Sequence, residues 1–177
     1  MREVECFVGI DPGKSPGLCL IDIRGDIIST KLLKDKKGEM RHLELFEWVK
    51  LSSYGAKAAM ELPHSVFSAS SKSNFQFGLS VGACKQSLIS TFPKGRVKFP
   101  QPKEWQKLIL IDNDIVIKKG KKDTKSTAFA AAKRILGNRW DYSVFLPTER
   151  SSVANHNLID AYLIAEYCRI THINLPL

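Results

Sequence analysis

The chain has 177 residues, 44% of them apolar and 25% charged, and its 27 lysines and arginines exceed its 18 aspartates and glutamates for a formal net charge of +9. That length allows one domain with a substantial core and is short for two, and the composition is that of an ordinary folded protein, not of a disordered one. No apolar run approaches a membrane span, the N-terminal stretch is unlike a secretory or transit peptide, and the excess of positive charge points to a polyanionic partner such as nucleic acid, an anionic membrane surface or an acidic protein.

Residues 4–10 (VECFVGI) read as a buried strand, followed by a turn rich in proline and glycine over 11–17 and a second strand, GLCLIDI. Arg24, Gly25 and Asp26 form a tight turn into a third strand, IISTKLL, so the chain opens as a β-meander. Met40, Leu43, Phe46 and Val49 recur at helical spacing over 40–52, which predicts a helix. Residues 56–62 form a fourth strand, 63–73 a serine-rich loop, 74–91 a helix carrying Gly78 and Gly82, and 96–99 a strand. A short helix starts at Pro102, 112–122 is a lysine-rich loop, and Asp123 or Thr124 caps a helix that ends at Gly137. Residues 138–152 are irregular and a last helix covers 155–171. Strands first, then alternating helices and strands, make a single α/β domain over 1–177 with a mixed sheet flanked by helices. Cys6, Cys19, Cys84 and Cys168 are scattered, with no C-x-x-C pair. They read as reduced thiols of a cytoplasmic protein, and neither a zinc site nor a disulfide framework is expected.

Three acids occupy unusual places. Asp11 ends the first strand, Glu61 ends the fourth before a proline, and Asp160 lies in the last helix among Leu158, Ile159, Ala161 and Leu163. An unpaired buried carboxylate is costly, so each needs a partner or a cation. Singly, each reads as well as a cap, a turn residue or an ion-paired helix position. Together, at two strand ends and in an apolar helix, they read better as oxygen ligands of a divalent cation such as Mg²⁺.

The string GIDPGKSPGLCLID, the A-M-E-L-P around Glu61 and the late DAYLIAEY resemble the RuvC family of Holliday-junction resolvases, in order and over nearly the whole chain. Within that family the smaller phage and viral members look most similar. The resemblance implies a ribonuclease-H-like fold and a metal-dependent endonuclease that resolves four-way DNA junctions as a homodimer, two active sites meeting the two-fold symmetry of the junction. It implies that Asp11 bridges two Mg²⁺ ions while Glu61 and Asp160 complete the sites, one ion activating water and the other stabilising the leaving 3′ oxygen. Mn²⁺ could take the place of Mg²⁺. The family has a second acid or a histidine three residues before the last aspartate. Here that position is Asn157, a neutral oxygen donor that by register is the first candidate for the metal site, and His156, one residue earlier, is the second candidate, as a metal or acid/base residue that activates water or binds phosphate; either reads as well as a capping residue of the helix start. A weaker metal affinity or a preference for Mn²⁺ is the expected consequence.

The excess of charge is localised. Residues 94–125 hold ten basic side chains against four acidic ones, a net of +6, as expected for contacts to phosphates; the KKGKK run alone reads equally as a solvated loop. The resemblance matches Lys107 and Lys125 to two lysines that touch DNA near the cleaved phosphate, Lys107 being placed with the catalytic residues, and Lys118, Lys119, Lys121 and Lys122 extend the track. It also sets His64 where the family often carries an aromatic that stacks at the branch point. Phe67 could stack there or lie in the core, and Lys72 and Ser73 could reach phosphate. A related nuclease acting on other branched DNA or on RNA, and a catalytically silent nucleic-acid-binding module, are the competing readings. An actin-like ATPase is disfavoured because that fold needs two such lobes.

Overall fold

The computed structural model describes residues 6–13, 15–33, 42–63, 70–148 and 150–173. The alternation of β1 (Cys6–Asp11) sets the layering: Phe7 points to one side of the sheet, Val8 and Ile10 to the other. β2 (Gly17–Asp22) pairs antiparallel with β1 and repeats the split, with Cys19 and Ile21 on the first side and Leu18 on the second. β3 (Ile27–Leu32) pairs antiparallel with β2, completing the expected meander. The chain then crosses through α1 (His42–Ser52) into β4 (Ala56–Met60), which lies parallel to β1, and through α2 (Ser71–Thr91) into β5 (Val97–Lys98), parallel to β4. The strand order is therefore β3-β2-β1-β4-β5.

The remaining elements are α3 (Pro102–Ile109), a small hairpin of β6 (Ile117–Lys118) and β7 (Lys121–Lys122), α4 (Thr124–Leu136) and α5 (His156–Ile173), with short 3₁₀ turns between them. Helices α1 and α2 cover the Val8 face, where Leu45, Val49, Cys84 and Leu88 meet Ile10, Leu18 and Met60. Helices α3, α4 and α5 cover the Phe7 face.

Helix α5 is the central packing element, buried at Leu158, Ile159, Ala161 to Ala165, Cys168 and Ile170. Two glycines allow this. A Cβ on Gly9 would overlap the Ala161 carbonyl oxygen and the Ala165 backbone, and one on Gly17 would overlap the Asn157 carbonyl. The helix backbone therefore lies directly on β1 and β2, an approach open only to residues without a side chain. Among the described residues, no helix is long and apolar enough to cross a membrane.

The structure refines several expectations. Of the apolar residues at helical spacing in α1, Val49 is buried together with Leu45 four residues earlier, while Leu43 is 70% exposed and Phe46 41% exposed; Met40 lies outside the described residues. The helix is apolar on more than one side, so spacing alone did not identify the buried side. The serine-rich loop ends earlier, because Ser70 caps α2 by accepting the Ser73 N–H. The lysine-rich stretch is not a plain loop. Lys119 and Gly120, at φ 52° and 73°, make a two-residue turn between β6 and β7, the geometry that twisted hairpins favour. Asp123, not Thr124, caps α4.

Candidate active site

Because β1 and β4 are parallel neighbours with Ile10 opposite Met60, the next residues, Asp11 and Glu61, leave the sheet side by side at its carboxyl end. The Glu61 N–H donates to the Ile10 carbonyl at 3.2 Å, extending the ladder to the acids themselves. Ligands of open α/β sheets bind at this end. Asp11 also pairs with Gly17, and the N-terminal half of α5 rests on Gly17 and Gly9. One turn into that helix stands Asp160, so three acids separated widely in sequence converge at one end of the sheet.

The turn after Asp11 is held from both layers. From α2, the buried Ser80 hydroxyl donates to the Gly13 carbonyl at 2.8 Å. From α5, the Asn157 side-chain amide donates to the Ser15 carbonyl at 2.7 Å. Asn155 accepts the Asn157 N–H at 2.9 Å, a capping contact at the helix start. Asn157 thus lies over the Asp11 turn with its nitrogen committed to the backbone.

The acids perturb one another. Asp11 is pushed well above the usual carboxylate range by burial, then by Asp160 and Glu61, against the pull of the Gly13 N–H. Burial raises Glu61, opposed by a hydrogen bond from Trp105. Asp160 is pushed up to about 7 by burial and then by Glu61, with Lys125 pulling the other way. Like charges at one site raise each other in this way. Hard oxygen donors suit Mg²⁺ or Mn²⁺. Among the described residues, however, no three histidine, cysteine, aspartate or glutamate side chains already form a group that could hold a metal ion.

A cleft of about 200 Å³ opens beside the acids, lined by Glu61, Asp160, Trp105, Gln106, Lys122 and Lys125 among others. Two of the predicted lysines therefore face the carboxylates. Lys118 does not: its ammonium reaches the Asp123 carboxylate at 2.5 Å and the Ser126 hydroxyl at 2.7 Å, tying the hairpin to the cap of α4. Lys119 and Lys121 are exposed on the hairpin, and Lys72 is exposed in the first turn of α2. Lys107 is exposed on α3, about 200° around the helix from the cleft-lining Trp105. His156 opens α5, and its charged neighbours are Lys125, Asp123 and Lys118, none of them one of the three acids. Burial and Lys125 lower its pKa, and its Nδ1 is buried without a hydrogen-bond partner. His64 and Phe67 lie outside the described residues. Phe75 is 65% exposed and Phe77 half-buried, and neither joins the core.

Three residues escaped sequence reasoning. Trp105, 2% exposed, donates its indole N–H to Glu61 at 2.6 Å. Asp114, 3% exposed, forms two hydrogen bonds of 2.9 Å with Arg134 and joins the segment after α3 to α4. Glu166, equally buried, is paired with Arg169 one turn on. The last two are buried acids satisfied by arginine, which separates them chemically from Asp11, Glu61 and Asp160. Asp114 lies in a stretch of sequence with no distinguishing pattern, whereas Glu166 and Arg169 at i, i+3 were a readable pair.

No family model matches the sequence, and no curated protein matches it. Among solved structures, the chain is similar to Thermus thermophilus RuvC in complex with a Holliday junction substrate, at a TM-score of 0.61 and 16% identity over 96% of each chain. It is also similar to a second Thermus thermophilus RuvC structure, at a TM-score of 0.57 with the same identity and coverage. At that identity the likeness is one of architecture: the strand order, the mixed sheet and the helix laid across it are those of a ribonuclease-H-like domain, and the chain has the fold of RuvC.

Proposed function

We propose that this chain is a divalent-cation-dependent endonuclease selective for branched DNA, with the four-way junction as its principal substrate. The observation that carries the reading is the convergence of Asp11, Glu61 and Asp160 at the carboxyl end of β1 and β4, with Glu61 and Asp160 lining a cleft that Lys122 and Lys125 share. Fold alone would not carry it, because one fold hosts many functions. The likeness to a RuvC bound to a Holliday junction substrate adds support for the substrate class.

The three acids would hold the cation, two ions per site in the fullest form of the reading. Their mutual repulsion would be relieved when a cation neutralises them. The bound cation supplies Lewis-acid charge for attack of water on the phosphodiester and for the departing 3′ oxygen. Lys122 and Lys125 draw the phosphate into the cleft and offset its charge. Asn157 holds the turn that carries Asp11 and has a carbonyl oxygen to offer as a neutral ligand; His156 is the alternative donor, set toward Lys125. Lys107, Lys72, Lys119 and Lys121 contact phosphates farther along the arms, and His64 and Phe67 stack on unpaired bases. Two chains associate through the outer face of α2, where Gly78 and Gly82 meet open space beside the exposed Phe75 and Leu79.

The test is cleavage of a synthetic four-way junction, a replication fork, a linear duplex and an RNA–DNA hybrid with Mg²⁺ or Mn²⁺. The junction is cut in preference to the linear duplex, and Asp11→Asn abolishes cutting while junction binding persists. A wild type that cuts none of the four, or an Asp11→Asn protein that cuts as well as wild type, overturns the reading.

A further inference from the structure

Helix α3 lies against the cleft with one polar atom in its buried face. Trp105 is 2% exposed, within the apolar cluster that includes Ala128 and Ile109. Its indole N–H, a donor with no acceptor capacity, requires a partner at such a depth. That partner is Glu61 Oε2, at 2.6 Å.

Both ends of this contact are held by backbone. Pro102 begins α3, and the Glu104 carboxylate accepts the Gln101 N–H at 2.5 Å, fixing the first turn. On the other side, the Glu61 N–H bonds Ile10, and the Leu62 N–H donates to the Pro100 carbonyl at 2.8 Å. The residue after Glu61 is thus bonded to the residue two before α3. The tryptophan and the glutamate are fixed relative to each other by the chain as well as by their side chains, the arrangement in which a supporting residue orients a functional one.

We propose that Trp105 is the positioning residue of this site: its indole N–H holds one oxygen of Glu61, sets the carboxylate's orientation, and leaves the other oxygen for a divalent cation. This rests on the cation-dependent nuclease reading above. Trp105 does not touch the substrate in this role. It acts through Glu61, and its ring also forms part of the cleft wall beside Asp160 and Lys125.

Isothermal titration calorimetry with Mn²⁺ alone, without DNA, tests it on the full chain. Wild type binds Mn²⁺, and Trp105→Phe, which keeps an aromatic ring and removes the donor, binds it about 10-fold or more weakly, as lost support of a ligand usually costs. Trp140→Phe, an equal truncation at a ring packed on Phe129 and Phe145 and absent from the cleft lining, binds as wild type does. Equal affinity in wild type and Trp105→Phe overturns the proposal while leaving the nuclease reading intact. A wild type that binds no Mn²⁺ overturns both. Should Trp105→Phe not fold, the wild type decides. Its three indole N–H signals, from Trp48, Trp105 and Trp140, are followed by ¹⁵N NMR during Mg²⁺ titration and assigned with Trp48→Phe and Trp140→Phe. The Trp105 signal moves on saturation and the other two stay in place; an unmoved Trp105 signal overturns the proposal.

Discussion

Asp160 is raised to about 7 by burial and by Glu61, whereas an aspartate in an unfolded chain titrates near 3.9. Between about pH 4 and 7 the folded protein therefore holds a proton that the unfolded chain has released. The stability from this group is fully present below that window and is lost as the pH rises through it. In EDTA, Asp160→Asn is expected to be more stable than wild type by about 2–4 kcal/mol at pH 8, with a clearly smaller gain at pH 5. Urea unfolding at the two pH values measures this, and an equal gain at both would show that Asp160 is not held protonated. The buried acids paired with arginine behave differently. Asp114 is lowered on balance by Arg134 although burial opposes the shift, so it favours folding at neutral pH and marks a structural pair. Asp11, Glu61 and Asp160 were legible as a group from their placement at strand ends and in an apolar helix. Trp105 was not, because nothing in E-W-Q-K separates a tryptophan that donates to a carboxylate 44 residues away from one that only fills the core.

At the scale of elements, α5 lies on the sheet only because Gly9 and Gly17 leave room for its backbone. Gly9→Ala places a methyl against the Ala161 carbonyl and the Ala165 backbone, neither of which can rotate away. The expected loss is about 3 kcal/mol or more, at the upper end of overpacking, read as a lower urea midpoint, and a loss under about 1 kcal/mol would mean that the helix shifts freely. The same contact positions the candidate site, since α5 carries Asp160. The meander and the main helices were readable from alternation, caps and the proline at the start of α3. The β6–β7 hairpin was not, because a K-K-G-K-K run has no apolar alternation, and its strands are two residues each. Its turn is made by Lys119 and Gly120 at positive φ, and its seat by the Lys118 bond to the cap of α4.

For the whole molecule, the net charge of +9 resolves into a basic segment folded beside the acids. Replacing Lys118, Lys119, Lys121 and Lys122 together, with asparagine at Lys119 to suit its backbone, should reduce the slope of log K against log salt for junction binding by up to about 4. An unchanged slope would make the hairpin a solvated surface. Lys118 alone should have the smallest effect, since it already bonds Asp123. Dimerisation through α2 makes a separate prediction. Sedimentation equilibrium gives a dimer for wild type and a monomer for Gly82→Glu, a substitution into open space that leaves the fold intact; a dimer in both places the contact elsewhere.

The sequence by itself determined the class of fold, the order of the elements, the three acids and the concentration of positive charge, because each is written in local pattern: period-two alternation, caps, breakers and residue type. Only the tertiary structure decided which acids meet, which lysines face them, which side of α1 and α2 is buried, and that Trp105 bonds Glu61. Those depend on strand register and on a helix seated over two glycines, and both are set by contacts between residues far apart in the chain. The spacing of Asp11, Glu61 and Asp160 along the sequence carries no distance, and the parallel pairing of β1 with β4 supplies it.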